Sequence, residues 1–235
     1  MLQSAEGVLG DVGSGTTFRR MIADFAKTPG TTSTIDDVMR QARTQVWAKH
    51  GWSNPGRRVL LDIDATLTRV HSEKEDAKGN YKRGFGFHPV ACFAHCSGEA
   101  LAVEHRPGNA GANTIADLVG IIDDGLDALP ATVAQSHRPG AVAADANNEI
   151  LVRSDSAGHT LGFLWDMWNR NLRFCVTGRS NSILSSVILG FGHNTNWENA
   201  LRPNNVDLDG NDPDVDARKA QVVEVTDYPA IAKWV

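Results

Sequence analysis

Cysteines, aromatic side chains and long apolar runs are all scarce in this chain of 235 residues. It has only 3 cysteines and 7% aromatic residues, although 41% of its residues are hydrophobic. No apolar run approaches the roughly 20 residues that a membrane-spanning helix needs, and the first twenty residues lack the charged-then-apolar pattern of a signal peptide. The hydrophobic content is still sufficient for a folded core. We therefore expect a soluble, cytoplasmic globular protein with no membrane partner.

The few cysteines do not fit a structural zinc site. Cys92 and Cys96 are separated by three residues, and Cys175 alone cannot supply the second pair that a four-ligand cage requires. An odd number of cysteines also leaves at least one thiol unpaired. We expect these side chains to be buried free thiols.

The chain also lacks the basic excess of a dedicated nucleic-acid-binding module. Its 23 Lys and Arg side chains are outnumbered by 28 Asp and Glu, which gives a formal net charge of −5. Because binding to phosphates relies on clustered Lys and Arg, this balance argues against such a module. It leaves open an enzyme that acts on nucleic acid.

Apolar periodicity predicts an α/β fold. Helical spacing indicates helices over residues 15–27, 35–49, 113–129 and 159–170, with Thr34 as N-cap of the second. Short apolar runs indicate strands over residues 59–64, 85–95, 100–106, 150–155 and 173–177. Three consecutive strands followed by alternating helices and strands predict a mixed sheet with helices packed on it.

Two of the predicted strands end in aspartate. Asp62 and Asp64 lie two residues apart on one strand, and so on one face of it, while Asp155 ends another. Like charges at one site repel unless a cation lies between them, and carboxylate oxygens suit Mg²⁺ or Mn²⁺. If the strands are neighbours, Asp64 and Asp155 could share one ion and begin a two-metal site. A single strand-end aspartate can instead simply cap a turn or a helix.

The string Arg58-Val-Leu-Leu-Asp-Ile-Asp-Ala-Thr-Leu-Thr resembles the first motif of haloacid-dehalogenase-type phosphatases. That resemblance implies Asp62 as nucleophile and Asp64 as general acid and base. The pair Asp123 and Asp124 resembles the fourth motif of that family, but it precedes the match to the second motif at Thr177, which reverses the order. Strands also replace the helix that should follow the first motif. The phosphatase is therefore the alternative interpretation.

Four other strings resemble bacterial insertion-sequence transposases of the DDE type, in particular the thirteen-eighty group. They are His71-Ser-Glu-Lys-Glu, Tyr81-Lys-Arg-Gly-Phe-Gly-Phe-His-Pro, Leu101–Arg106 continued by Pro107-Gly-Asn-Ala-Gly-Ala-Asn-Thr, and Leu151-Val-Arg-Ser-Asp-Ser. The resemblance spans residues 5–178 and implies a ribonuclease-H-like fold, a mixed sheet of three antiparallel strands and then parallel strands, with helices on both faces. It also implies three parts: a helical N-terminal segment (1–55), an incomplete catalytic core (56–178) and the start of a β-rich insertion (179–235).

This resemblance implies a site and a reaction. Asp64, in the string Asp64-Ala-Thr66, and Asp155 match the first two catalytic acids, which would bind Mg²⁺ or Mn²⁺ in a two-metal site. The implied reaction is metal-dependent phosphodiester cleavage at the end of a mobile element, followed by transfer of the freed 3′-hydroxyl to target DNA. Lys82, Arg83 and Arg106 flank the core strands and are candidates for contacts with DNA phosphates.

The resemblance also implies partners and a location. The partners would be the terminal inverted repeats of the element and the target DNA, and two copies of the chain could form a homodimer. The location would be the bacterial cytoplasm, in association with the nucleoid.

The third acid of such transposases is a Glu on a later helix, preceded by a Tyr and an Arg. No such string occurs before Val235, and Glu224 alternates with its neighbours like a residue of a strand, so it is not assigned this role. The resemblance therefore implies a fragment or decayed copy that retains two of three carboxylates. Its activity alone would be doubtful.

Overall fold

The computed structural model describes residues 14–71, 73–111, 114–142, 145–178 and 182–191, and the short segments 198–199 and 221–222. The helices are α1 (Gly15–Lys27), α2 (Thr31–Lys49), α3 (Ile115–Ala128), α4 (Ala131–Ala134), α5 (Leu161–Asn169) and α6 (Ser182–Phe191). The strands are β1 (Val59–Ala65), β2 (Thr68–Arg69), β3 (Lys78–Gly79), β4 (Phe85–Phe87), β5 (Val90–Ala94), β6 (Glu99–Glu104), β7 (Ile150–Ser154), β8 (Arg173–Val176), β9 (Glu198–Asn199) and β10 (Gln221–Val222).

The chain divides into two compact units, Met1–Gly178 and Arg179–Val235. In the second unit the described elements are α6 and an antiparallel pair formed by β9 and β10. None of the helices described here combines the length and the apolar character that a membrane span needs.

A five-stranded mixed sheet organises the first unit. Its strand order is β6-β5-β1-β7-β8. The strand β5 is antiparallel to both β6 and β1, whereas β7 runs parallel to β1 and β8 runs parallel to β7. The helices α3 and α4 lie in the connection from β6 to β7, and α5 lies in the connection from β7 to β8. The prediction of a mixed α/β sheet with three antiparallel strands and then parallel strands is therefore confirmed.

One face of this sheet is buried. Since successive side chains of a strand point to opposite faces, every second residue lies on this face. The buried side chains of β1 are Val59, Leu61 and Ile63, and the corresponding residues of β5, β6 and β7 join them in one hydrophobic core. The helices α3 and α5 cover this face with five fully buried side chains, which are Ile121, Ile122, Leu126, Phe163 and Met167. Gly125 permits close contact of α3 with β5, since a Cβ there would lie 2.7 Å from Cys92 Sγ.

The opposite face of the sheet, the open face, carries the intervening residues. Leu60, Phe93 and Leu151 on this face are partly buried, and they do not belong to the core. Within the described part of residues 14–178, the helices that contribute to the core pack on the other face. The expected helices on both faces of the sheet therefore stay a prediction.

The helix α2 is joined to the edge of the sheet by polar contacts. Trp47 is fully buried in the core, and its indole N–H donates to Glu99 Oε1 at 2.9 Å. The buried Arg43 donates from Nε to Glu99 Oε2 at 3.0 Å and from Nη1 to the carbonyl of Ala128 at 2.7 Å. These bonds attach α2 to β6 and to the end of α3.

A small three-stranded antiparallel sheet, in the order β2-β4-β3, extends from the end of the main sheet at which β1 stops and β5 starts. Gly86 in β4 has φ +153°, and a Cβ there would lie 2.0 Å from the carbonyl oxygen of Thr68, so only glycine fits. The turn between β3 and β4 carries Lys82 and Arg83 at its tip, and Asn80 Oδ1 accepts hydrogen bonds from the backbone N–H of Lys82 and of Gly84.

Three local predictions were wrong. The predicted strand over residues 85–95 is divided at His88–Pro89, because proline has no N–H to donate and restricts the residue before it. Thr34 lies inside α2 rather than at its N-cap, which is Gly30 with φ 79°. The hydroxyl of Thr34 instead donates to the carbonyl of Gly30 at 2.9 Å. Of the three cysteines, only Cys92 is buried.

Candidate functional site

The two strands that were predicted to end in aspartate, β1 and β7, are neighbours in the sheet. Leu61 pairs with Val152, Asp62 with Arg153 and Ile63 with Ser154 in the parallel ladder of β1 and β7. The next step in this register places Asp64 beside Asp155. Because adjacent strands lie about 4.8 Å apart, this register places the two aspartates next to each other at the carboxyl-terminal ends of β1 and β7.

Asp64 is exposed at the end of β1. Its Oδ2 accepts a hydrogen bond from Thr66 Oγ1 at 3.1 Å. Thr66 in turn is fixed by its backbone N–H, which donates to the carbonyl of Pro89 at 3.0 Å. Thr66 therefore orients the carboxylate through one oxygen.

Asp155 directly follows β7 in an extended conformation, with φ −69° and ψ −164°. Its Oδ1 accepts a hydrogen bond from the backbone N–H of Ala157 at 2.8 Å and caps the short 3₁₀ turn Ser156–Gly158. Asp155 therefore does cap a turn, which is the alternative role that the sequence left open for a strand-end aspartate. It uses one carboxylate oxygen, and Oδ2 can still serve as a ligand.

Asp62 lies on the open face of the sheet, two residues before Asp64, and is bound by Arg153. The guanidinium donates from Nε to Oδ1 at 2.6 Å and from Nη2 to Oδ2 at 2.8 Å. These bonds hold the pKa of the Asp62 carboxyl below its usual value. A carboxylate that is bonded on both oxygens is poorly placed to attack phosphorus, which argues against the nucleophile role that the phosphatase alternative gives Asp62.

The acid pair meets some of the requirements of a divalent metal site. Carboxylate oxygens are the hard ligands that Mg²⁺ and Mn²⁺ prefer, and both side chains are oriented by bonds to the protein. The described part of the chain contains no group of three or more His, Cys, Asp or Glu side chains that could hold a metal ion. Glu224 lies outside the described residues. Asp64 and Asp155 therefore fit a metal as two ligands of a larger set.

The three candidate DNA contacts have different environments. Lys82 and Arg83 are exposed at the turn between β3 and β4, at the same end of the main sheet as Asp64. Arg106 is only 4% exposed. Its Nη1 donates to Asp117 Oδ2 at 2.7 Å and its Nε to the carbonyl of His88 at 3.0 Å. A phosphate contact by Arg106 does not fit this buried position, in which the side chain joins β6 to α3.

Two members of the site, Arg153 and His95, were not recognised from the sequence. Arg153 precedes Asp155 by two residues, as Asp62 precedes Asp64. This repeated spacing was the available signal, because a parallel register that aligns the two aspartates also aligns Asp62 with Arg153. His95 gave no comparable signal, since its contact with Arg153 spans 58 residues.

The comparisons with known proteins assign the chain to a family. A model of the family described as transposase DDE domain group 1 matches residues 1–227. No curated protein matches the chain.

Among solved structures, the chain is similar to the simian T-cell lymphotropic virus intasome, determined by cryo-electron microscopy in complex with the PP2A regulatory subunit B56 gamma. The similarity has 14% sequence identity and a TM-score of 0.27, a value too low to establish a shared fold. It covers 58% of this chain, and the chain spans only 39% of the length of its counterpart. By its match to the family model, the chain belongs to the transposase DDE domains of group 1.

Proposed function

We propose that this chain carries the catalytic core of a DDE transposase of the bacterial thirteen-eighty group, with a ribonuclease-H-like fold. The observation that supports the proposal is the parallel pairing of β1 with β7, whose register, continued by one residue beyond Ile63 and Ser154, aligns Asp64 with Asp155. The mixed five-stranded sheet supports the fold assignment, and the family supports the reaction class. The family match gives no support to the phosphatase alternative.

In this proposal Asp64 and Asp155 are ligands for Mg²⁺ or Mn²⁺. Bound divalent ions would lower the pKa of the attacking hydroxyl and stabilise the leaving oxygen during in-line displacement at phosphorus. Thr66 and the backbone N–H of Ala157 each bind one carboxylate oxygen, and the other oxygen of each carboxylate remains available to an ion. The third carboxylate is not assigned. The activity of this chain alone depends on whether residues outside the described part supply it.

The exposed cations Lys82 and Arg83 are proposed to contact DNA phosphates beside the acid pair. Asn80 fixes the turn that presents them, and the small sheet extends from the end of β1 that carries Asp64. Arg106 is omitted from this proposal because it is buried. The DNA partners would be the terminal inverted repeats and the target DNA.

We propose the same three-part organisation that the resemblance implies, with a helical segment (1–55), a catalytic core (56–178) and an insertion region (179–235). Assembly of two copies on DNA and location at the bacterial nucleoid belong to the proposal as well.

Nicking of supercoiled plasmid in Mn²⁺ tests the reaction. We expect nicking by the wild-type chain, its loss in Asp64→Asn and Asp155→Asn, and its retention in Asp37→Asn, which changes an exposed acid on α2. Nicking that persists in both site variants would contradict the proposal. If the wild-type chain binds Mn²⁺ through both acids but does not nick, the centre is incomplete in this chain. Hydrolysis of p-nitrophenyl phosphate that Asp62→Asn abolishes would instead support the phosphatase.

Binding of the chain to a fluorescent duplex tests the basic turn. The double variant Lys82→Ala/Arg83→Ala should weaken binding and reduce the salt dependence, since the slope of log affinity against log salt falls by about 0.9 for each phosphate that the protein no longer neutralises. Arg57→Ala/Arg58→Ala is the matched control, because these two consecutive cations lie at the opposite end of β1. Equal losses of affinity in both double variants would show that the turn has no specific role in DNA binding.

A further inference from the structure

The open face of the sheet carries a polar cluster that spans three strands. It consists of Asp62 on β1, Arg153 on β7 and His95, which directly follows β5. The backbone N–H of His95 donates to the carbonyl of Leu60 at 3.0 Å, which holds His95 against β1. Arg153 Nη2 donates to His95 Nδ1 at 3.0 Å, in addition to its two bonds to Asp62. The cluster therefore connects the central strand to both of its neighbours.

The position of the cluster relative to the acid pair is specific. The ladder of β1 and β7 ends at Ile63 and Ser154, so Asp64 and Asp155 lie one residue beyond the last paired residues. Asp62 and Arg153 form the last side-chain pair on the open face before that point. The bidentate contact joins two planar groups and limits sliding as well as separation of the strands.

We infer that Asp62 and Arg153 are a positioning pair, which fixes the spacing of the two strand ends so that Asp64 and Asp155 can bind one divalent ion. This inference rests on the proposed function. It assigns Asp62 a role outside the ligand set, since both of its oxygens are already bonded to Arg153. His95 supports the guanidinium from the third strand.

A simple electrostatic account makes a different prediction. Asp62 would attract a nearby cation and Arg153 would repel it, so removal of both charges together would leave the field at the acid pair almost unchanged. A positioning role predicts a loss of metal affinity even in that charge-balanced variant. Were Asp62 a ligand that Arg153 obstructs, removal of Arg153 alone would strengthen metal binding.

The test is a calorimetric titration of Mn²⁺ into the full chain, with folding of every variant checked by circular dichroism. We expect Asp62→Asn/Arg153→Gln to bind Mn²⁺ about tenfold more weakly than the wild type, which is the lower end of the effect found for outer-shell partners of metal ligands. Arg153→Lys keeps the charge but loses the fork, so it should show a smaller reduction in affinity. This milder variant also tests the inference if the double variant does not fold.

The matched control is an ion pair between the same two strands at their opposite ends. Arg58 donates to Glu149 Oε2 at 2.9 Å, just before β1 and β7 begin. Arg58→Gln/Glu149→Gln should leave Mn²⁺ affinity unchanged. An equal reduction of affinity in this control would overturn the inference, because it would reveal a general effect of loosening the sheet.

Two further results would overturn the inference. These are wild-type affinity in folded Asp62→Asn/Arg153→Gln, and stronger binding in Arg153→Gln. Failure of the proposed function gives a different result, in which the wild-type chain does not bind Mn²⁺ or binds it without dependence on Asp64 and Asp155.

Discussion

The two faces of the five-stranded sheet are built from alternating residues of the same strands but have different roles. On β1, Leu61 and Ile63 enter the core, whereas Asp62 and Asp64 lie on the open face. On β7, Val152 is buried in the core, whereas Arg153 points to the open face, where it binds Asp62. The period of two in a strand thus separates residues that stabilise the fold from residues available for chemistry.

This separation explains how carboxylates can be placed against an apolar sheet without burial. Moving an unpaired charge into the core would be costly, so acids are tolerated where a neighbour compensates them or where solvent reaches them. Asp62 illustrates the first case, since Arg153 compensates it, and the exposed Asp64 illustrates the second. Substitutions on the two faces should therefore change different measured properties.

The largest difference is expected between neighbouring leucines of β1. Leu61 is fully buried, so Leu61→Ala should lower the free energy of unfolding by about 3 kcal/mol through reduced burial and an unfilled cavity. Leu60 lies on the open face and is only partly buried, so Leu60→Ala should cost less than half as much. Urea denaturation measures both. Equal losses of stability would show that the two faces are packed alike.

Alanine substitutions at two glycines of α3 should change the stability by smaller amounts, and in opposite directions. Gly125→Ala would place a Cβ 2.7 Å from Cys92 Sγ and should destabilise the chain by about 1–2 kcal/mol. At Gly120, no atom from outside the adjoining helix backbone lies within 4 Å of the position of such a Cβ. Gly120→Ala should therefore stabilise the helix by about 0.5–1 kcal/mol, the usual advantage of alanine over glycine. Thermal unfolding monitored by circular dichroism measures the direction of both stability changes. A Gly125→Ala variant more stable than the wild type would contradict the packing of α3 on β5.

The contribution of the buried Cys92 thiol to stability should depend on pH. Burial raises the pKa of the Cys92 thiol to about 12 from an ordinary value of 9.0. The unfolded chain ionises this thiol first, so its contribution to stability is complete below pH 9 and is lost as the pH rises towards 12. Cys92→Ala should therefore lose less stability than the wild type over this interval.

Thiol labelling at a pH of about 8, just below the usual thiol pKa, checks the same burial directly. Cys175 is exposed on β8 and should react in the native chain, whereas Cys92 should react only after unfolding. Fast native labelling of Cys92 would contradict its burial.

Much of the fold could be predicted from the sequence, because apolar periodicity is a local signal. The strands β1 and β7 and the amphipathic helix α3 were predicted in this way. Tertiary contacts decided the remainder. Arg106 was a candidate for contact with DNA phosphates, but Asp117 and the carbonyl of His88 bind it in a buried position. The pairing of Asp62 with Arg153 depends on a strand register between residues 91 positions apart, which local patterns do not specify.

We propose that Asp64 and Asp155 bind one divalent ion together, and calorimetric titration of Mn²⁺ decides whether they do. The wild-type chain should bind Mn²⁺, and Asp64→Asn and Asp155→Asn should each weaken binding by about tenfold, a change of about 1.4 kcal/mol. Asp37→Asn should bind like the wild type. Binding that Asp64→Asn weakens and Asp155→Asn does not would contradict the claim, because the two carboxylates would then not share an ion.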